Sequence, residues 1–270
     1  MATKAWRVIA VFLILCVMAM LVAFAGPAFA GSVQASDDDF TPSDWTISLF
    51  TIGNGASVSA SQQAAGGNPG PYRSIRNVVA SSPAIAPFFS AILGAHIFGG
   101  FTYDPSATGA ITSIDYSEDA ICILPNCFGD GQAVGVIVRQ NGNTYLHGLG
   151  ITTSSTSWHT ISDAGLGALD FVLLDGSDDF VDGTSHPDFS VNGDPIEVGF
   201  ARYNSTCVSC GGYTLDAGID NWRVVINFED LNTDTPSDDG PSDTPRVPAP
   251  GALLLLAIGV TTLGALRRLR

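Results

Sequence analysis

Short runs of β-branched and aromatic residues recur along the chain, and clusters of Gly, Asn, Asp, Pro and Ser separate them. Amphipathic helical periodicity is scarce between these runs. About ten such runs in one domain are typical of a β-sandwich or a barrel, so we predict an all-β fold. The runs lie at 45–52, 74–80, 95–103, 110–116, 133–140, 143–149, 157–161, 168–174, 196–204 and 221–228.

Two local signals refine this prediction. Asn141-Gly142 lies between the runs 133–140 and 143–149, and both residues tolerate positive φ, so the pair predicts a hairpin turn. The stretch SPAIAPFFSAILGA, residues 82–95, fits either a helix or a loop that crosses one end of the sandwich.

The N-terminal residues 1–30 have the pattern of an export signal. Lys4 and Arg7 precede a long apolar segment, which ends at the small-residue site Ala28-Phe29-Ala30. We predict cleavage before Gly31 and export of the domain that follows. An uncleaved N-terminal anchor is the alternative, because the apolar segment is long enough to span a bilayer.

The exported part is strongly acidic. Residues 31–230 contain 22 Asp or Glu against five Arg and no Lys, a net charge of −17. Such a surface repels phosphate backbones, so nucleic acid is excluded as an expected partner. Solvated acidic faces and divalent cation sites are both compatible with this composition.

Four cysteines follow the signal, and they form two pairs that are close in sequence. Cys122 and Cys127 lie in CILPNC, and Cys207 and Cys210 lie in CVSC. We predict two local disulfides, because exported proteins meet an oxidising compartment. A zinc site made of the four thiolates is the alternative.

The chain ends in a linker followed by an apolar segment. Residues 232–246 are rich in Asp and Pro, and are expected to be an extended linker. Residues 251–266 carry no charge and would form a helix of about 24 Å, slightly short of a bilayer core. A permanent C-terminal anchor, with the arginines in the cytoplasm, is one interpretation.

The order of the parts in this tail, residues 247–270, resembles the PEP-CTERM sorting signal. Its motif is Val247-Pro248-Ala249-Pro250, with Ala249 where Glu is usual, and its terminal arginines are Arg267, Arg268 and Arg270. The resemblance implies a Gram-negative bacterium that makes exopolysaccharide. It also implies transient insertion of the tail in the inner membrane, cleavage by an exosortase, and delivery to the cell surface or extracellular matrix.

Segments near the two ends of the domain carry a second resemblance. ASDDDFTPSDWTI, residues 35–47, places acidic residues before a Trp that opens a predicted first strand, and DAGIDNWRVVI, residues 216–226, places an acidic turn before the last strand. This pattern resembles jelly-roll carbohydrate-binding and concanavalin A-like lectin domains. The resemblance implies a jelly-roll β-sandwich over residues 31–231, with its first and last strands side by side.

In many such domains, carboxylates of the first and last strands meet at a structural Ca²⁺. The resemblance implies Asp39 and Asp220 as its ligands, with Asp38 and Asn221 as further candidates. Oxygen ligands of this kind suit Ca²⁺. The alternative is that these residues cap turns. The acidic segment 175–183 lacks EF-hand spacing and is expected to be an exposed loop rather than a second calcium site.

For ligand binding, the residues to consider first are Trp158, His159 and Tyr145, although a sandwich also buries aromatic residues in its core. We expect a non-catalytic protein that binds extracellular polysaccharide. A structural matrix or adhesion protein without glycan binding is the second hypothesis. A glycosidase is the third, with Glu118 and Glu197 as the carboxyl groups to test.

Overall fold

Thirteen β-strands make up most of the part of the chain that the computed structural model describes, residues 30–231 without 54, 86–87 and 176–180. The strands are β1 Ala30–Asp37, β2 Trp45–Ile52, β3 Ser57–Gly67, β4 Gly70–Val79, β5 Ala91–Phe98, β6 Ile111–Cys122, β7 Ala133–Gln140, β8 Asn143–Thr152, β9 His159–Leu166, β10 Val172–Leu174, β11 Val181–Asp182, β12 Ile196–Ser205 and β13 Tyr213–Glu229.

Helical structure in this part consists of short turns. They are a four-residue α1 at Pro105–Thr108 and two 3₁₀ turns at Pro42–Asp44 and Ala168–Asp170. Among the described residues, no helix is long and apolar enough to cross a membrane. The predicted signal peptide before Ala30, the linker 232–246 and the sorting segment 247–270 lie outside the described residues.

The strands form two antiparallel sheets that pack face to face, which confirms the predicted all-β sandwich. Sheet I has the strand order β3-β4-β13-β6-β9, and β1 also pairs with β13. Sheet II has the order β11-β10-β8-β7-β12-β5-β2. The Asn141-Gly142 turn between β7 and β8 has φ of 50° and 78°, as the sequence predicted.

The long last strand, β13, organises sheet I. Its first half, from Tyr213 to Ile219, pairs with β4, whereas its second half, from Trp222 to Glu229, pairs with β1. The pairing of β13 with β6 shifts register between Asp220 and Arg223, where Asn221 has a φ of 48°. The chain's first described strand therefore lies beside its last strand.

One detail of the sequence prediction is wrong. The strand that Trp45 opens is β2, which lies at the edge of sheet II beside β5. The neighbour of β13 is instead β1, which ends at Asp37. Within the stretch 82–95, strand β5 begins at Ala91, and the described residues before it form a loop rather than a helix.

The main core lies between the sheets. On β13, Ile219, Trp222 and Val224 point inward, and they pack in one cluster with residues of sheet II such as Val136 and Phe200. All five are fully buried, and burial of each large apolar side chain contributes roughly 1.5–3 kcal/mol. The opposite face of β13 therefore points away from the core.

A buried polar cluster interrupts this apolar core. Arg202 Nη2 donates to Glu118 Oε1 at 2.8 Å, and both side chains are 0% exposed. The Tyr116 hydroxyl donates to the other Glu118 oxygen at 2.6 Å. His96 stacks on Phe200 with ring centroids 4.4 Å apart. Glu118 is therefore a structural group in the interior of the sandwich.

Candidate ligand-binding face

A polar groove lies on the outer face of sheet I. Val58 and Ala60 of β3 pack toward the core, so the alternate residues of β3 point outward. The groove has a volume of about 310 Å³. Its lining, which we call the outer groove, consists of Ser59, Ala60, Ser61 and Gln63 from β3, Ser74 and Arg76 from β4, and Asp216 from β13.

An ion pair closes one side of the outer groove. Arg76 Nε donates to Asp216 Oδ1 at 2.7 Å, and Arg76 Nη2 donates to Oδ2 at 2.8 Å. Asn126 Nδ2 also donates to Oδ2 of Asp216, at 2.9 Å. The hydrogen bonds from Arg76 lower the pKa of Asp216, and the same bonds raise the pKa of Arg76. Both groups are therefore charged at neutral pH.

Two aromatic side chains lie next to the outer groove. Trp158 and Tyr72 are half-buried, and their rings meet edge to face with centroids 5.4 Å apart. The indole Nε1 of Trp158 donates to the carbonyl oxygen of Gly66 at 3.0 Å, which fixes the ring across the sheet. Both rings lie over Gly218, where an added Cβ would come within 3.0 Å of each. Gly218 pairs with Ser74 of the groove lining, and Tyr72 lies on β4 two residues before Ser74, so the aromatic rings adjoin the groove.

The other predicted ligand-binding residues have different positions. His159 begins β9 directly after Trp158, and its Nδ1 lies 3.3 Å from the carbonyl oxygen of Ser157. Tyr145 is 7% exposed and packs in the main core from sheet II. The structure therefore brings Trp158 to the outer face of sheet I. His159 pairs with Ala120, which packs inside with Ile161, so it lies on the opposite side of β9, and Tyr145 lies in the core.

Next to the aromatic rings, a hydrogen-bonded cluster ties β6 and β13 to the turn between β3 and β4. Asp119 Oδ2 accepts from the side-chain amides of Asn68 at 3.1 Å and Asn221 at 2.7 Å. Its other oxygen accepts from the Thr160 hydroxyl at 2.6 Å. Asp220 accepts hydrogen bonds from the backbone N–H groups of Asn68 and Asn221. These contacts hold the turn over the register shift in β13.

The two carboxylates of this cluster have pKa values shifted in opposite directions. Burial raises the pKa of Asp220, and the neighbouring carboxylates of Asp119 and Asp38 add to this effect. Burial also acts on Asp119, but hydrogen bonds from Thr160, Asn221 and Asn68 outweigh it and lower the pKa of Asp119. The hydrogen bonds therefore stabilise the charged form of Asp119, whereas Asp220 takes up a proton more easily than an ordinary aspartate does.

The predicted calcium ligands come together only in part. Asp38 is an electrostatic neighbour of Asp220, which itself is adjacent to Asn221. Asp39 is exposed, and its backbone carbonyl accepts from the Gln62 side chain. Within the described ranges, no three His, Cys, Asp or Glu side chains are grouped as a metal site. Each oxygen of Asp220 already accepts one N–H bond, and calcium binding stays a prediction.

The aspartate that sequence reasoning missed is Asp37. Its carboxylate accepts from the backbone N–H groups of Asp39 and Phe40 at 3.0 and 2.8 Å, and from Trp45 Nε1 at 2.6 Å. It therefore fixes the turn between β1 and β2 and orients a core tryptophan. This is the turn-capping alternative, realised by a neighbouring residue.

Both predicted disulfides are confirmed. Cys122 pairs with Cys127, and Cys207 pairs with Cys210. The four sulfur atoms are thereby used in disulfides rather than as zinc-binding thiolates. The first disulfide closes the loop that carries Asn126, so it supports the wall of the outer groove beside Asp216.

The glutamates considered for a glycosidase are both paired with arginines. Glu118 is buried against Arg202, and Glu197 accepts from Arg139 Nε at 2.6 Å on sheet II. A glycosidase needs two carboxyl groups that face each other across a substrate bond. Glu118 is enclosed in the core and Glu197 lies on the other sheet, so these two residues do not form such a pair.

Comparison with known proteins does not identify a family for this chain. No protein-family model matches the chain, and no curated protein shows significant sequence similarity to it.

Proposed function

We propose that residues 31–231 form a jelly-roll domain that binds polysaccharide on the outer face of sheet I. The observation that carries this proposal is the Tyr72–Trp158 pair beside a groove lined with hydroxyl, amide and paired charged groups. Sugars present apolar C–H faces that pack on aromatic rings and hydroxyl edges that need several hydrogen-bonding partners. The outer groove and its aromatic neighbours supply both kinds of contact.

The terminal segments support a proposal on location. Export by the signal 1–30 and processing of the tail by an exosortase would place the domain at the cell surface or in the exopolysaccharide matrix of a Gram-negative bacterium. The membrane would be a partner only through the tail before processing. The mass of the mature protein tests this, since cleavage near Val247–Pro250 removes the terminal arginines.

Calcium is a second part of the proposal, with Asp220, Asn221, Asp38 and Asp39 as its candidate ligands. A ligand that binds the folded state alone stabilises it, by about 2.7 kcal/mol at a concentration one hundred times its Kd. Calcium at millimolar concentration is therefore expected to raise the melting temperature, and chelator to reverse the change. An unchanged melting temperature would remove calcium from the account.

Polysaccharide binding without catalysis is favoured over a glycosidase. On the outer face, Asp119 and Asp220 are the neighbouring carboxylates with opposed pKa shifts, yet Asn68 and Asn221 occupy their oxygens. Incubation with polysaccharides and an assay of reducing ends tests this choice. Release of sugar that Asp119→Asn or Asp220→Asn abolishes would establish an enzyme.

A glycan array with the purified domain tests binding itself. Ala30–Leu231 is a compact unit with its own core and both disulfides, so it is suited to the test without the terminal segments. We expect retention of at least one polysaccharide class, and weaker retention after Trp158→Ala. Absence of retention with and without calcium would instead favour the structural matrix or adhesion protein.

A further inference from the structure

We propose that Asp216 makes the outer groove selective for uncharged polysaccharides, because it occupies the guanidinium edge of Arg76 that would otherwise bind a uronic acid. This inference rests on the proposed function and names the class of glycan that the groove takes. It concerns a specificity residue that the sequence did not single out.

The geometry of the ion pair carries the inference. Two parallel N–H···O bonds of 2.7 and 2.8 Å join Nε and Nη2 of Arg76 to the two oxygens of Asp216. This two-bond arrangement is the strongest way for arginine to bind a carboxylate. A uronic acid in the groove would need the same edge of the same guanidinium. Asp216 therefore competes with it from within the protein.

The two partners differ in how firmly they are held. The Asp216 side chain is 9% exposed, whereas that of Arg76 is 54% exposed. Asn126 adds a third hydrogen bond to Asp216, and this residue lies in the disulfide loop. A ligand would therefore not displace Asp216 readily.

The ion pair still leaves donors for an uncharged ligand. A guanidinium has five N–H groups, and Asp216 takes two of them. Serine hydroxyls at positions 59, 61 and 74 and the amide of Gln63 also line the groove. These groups suit sugar hydroxyls, which both donate and accept hydrogen bonds.

The charge around the groove also favours uncharged over acidic glycans. Arg76 and Asp216 are the charged residues of the groove lining, and their charges cancel. On the same face, Asp220 lies on β13, the strand of Asp216, and Asp119 lies opposite it on the adjacent strand β6. Together with the net charge of −17 over residues 31–230, they repel an acidic polymer.

The experiment compares two panels of hexasaccharides. One panel holds cellohexaose, xylohexaose and mannohexaose, and the other holds hexamers of galacturonate, mannuronate and guluronate. The domain, residues 30–231, is tested as wild type and as Asp216→Asn. Glu197→Gln is the matched control, because it also frees an arginine, Arg139, but on sheet II. The double variant Asp216→Asn with Arg76→Gln tests whether the freed guanidinium is responsible.

We expect the wild type to retain neutral hexamers and to exclude the uronates. Asp216→Asn should increase uronate binding about tenfold or more, since a charged pair adds to affinity. Glu197→Gln should not change it, and Arg76→Gln in the double variant should abolish the gain. A wild-type preference for uronates overturns the inference, as does an Asp216→Asn variant with the wild-type ratio of uronate to neutral binding. If Asp216→Asn does not fold, the preference of the wild type between neutral and uronate hexamers still tests the inference.

The same experiment separates this inference from the proposed function. In one outcome, the wild type binds neither panel, but Asp216→Asn binds uronates more strongly than Glu197→Gln does. The native domain then does not bind polysaccharide, so the proposed function is wrong, but Asp216 does block Arg76 as inferred. If no variant binds either panel, both are overturned. If the wild type binds uronates and not neutral glycans, the proposed function survives and the selectivity does not.

Discussion

The two faces of sheet I each present an arginine–carboxylate pair, and the pairs differ in their access to solvent. On the inner side, Glu118 of β6 meets Arg202 with both side chains 0% exposed. On the outer side, Asp216 of β13 meets Arg76, whose side chain is half exposed. The inner pair can only hold the two sheets together, whereas the outer pair keeps donors available to a ligand. The same chemistry thus supports stability in one place and recognition in the other.

The surroundings of the inner pair strengthen this contrast. Arg73 is buried nearby, with its guanidinium carbon 5.4 Å from the Trp45 ring centroid and Nη2 3.5 Å from His96 Nδ1. Burial lowers the pKa of Arg73 to about 10, and the carboxylate of Asp37 opposes the shift. Glu118 is therefore close to an excess of buried positive charge. Its loss would leave that charge without its main partner.

Glu118→Gln is expected to have the largest effect on stability. Breaking a buried ion pair by removing one partner costs about 3–5 kcal/mol, because the other charge stays buried. Glu197→Gln is the control, since the Glu197–Arg139 pair is about one-third exposed and should contribute at most about 1 kcal/mol. Denaturant unfolding of both variants measures the difference. Equal losses would contradict the contrast between buried and exposed pairs.

Gly218→Ala should have an intermediate effect on stability and a large effect on binding. Its added Cβ would lie 2.8 Å from Ile121 Cγ2 and 3.0 Å from both Trp158 and Tyr72. Overpacking of this kind costs about 1–3 kcal/mol and would move the aromatic rings. In Gly148→Ala, the matched control on sheet II, the Cβ meets nothing within 4 Å. If the Gly218→Ala variant is retained on polysaccharide as well as wild type, the Trp158 and Tyr72 rings do not take part in binding.

The inner cluster also predicts a dependence of stability on pH. Burial, together with Arg73 and Arg202, lowers the pKa of His96 well below its ordinary value of 6.5, so the folded protein keeps this side chain neutral. The unfolded chain takes up a proton as the pH falls below 6.5. Stability is therefore complete above that pH and decreases by about 1.4 kcal/mol per pH unit below it.

Comparison of wild type with His96→Gln between pH 7 and pH 5 measures this dependence. The variant lacks the titrating group, so its free energy of unfolding should vary less with pH, whatever its absolute stability. The carboxylates contribute equally to both proteins and cancel in the difference. Parallel pH profiles would show that His96 does not remain neutral in the fold.

Local pattern predicted those strands whose two faces differ in chemistry or whose residues favour β-structure. The runs 45–52 and 133–140 coincide with β2 and β7. Strand β3, SVSASQQAAGG, was missed, because its outer face is serine and glutamine and its inner face begins with Val58, Ala60 and the polar Gln62. The first half of β13 was also missed, since Asp216, Gly218 and Asp220 resemble a turn in sequence and are the outer-face residues of a strand in the structure.

Of the residues in and around the outer groove, the sequence identified Trp158 and none of its neighbours. Trp158 was singled out because a tryptophan in a polar segment is unusual. Tyr72, Arg76 and Asp216 come to the same face through the pairing of β4 with β13, which are more than 130 residues apart in sequence. No local pattern contains that pairing. The sequence offered Glu118 as a carboxyl group to test, but its burial could not be predicted for the same reason, since its partner Arg202 lies on the other sheet.

Retention of the domain on neutral polysaccharide, measured for wild type and Trp158→Ala, tests the central claim most directly. The account predicts that wild type is retained and that the variant binds at least about tenfold more weakly while it still unfolds cooperatively. Equal retention of the two proteins, or no retention of either on any glycan, would contradict a binding surface on the outer face of sheet I.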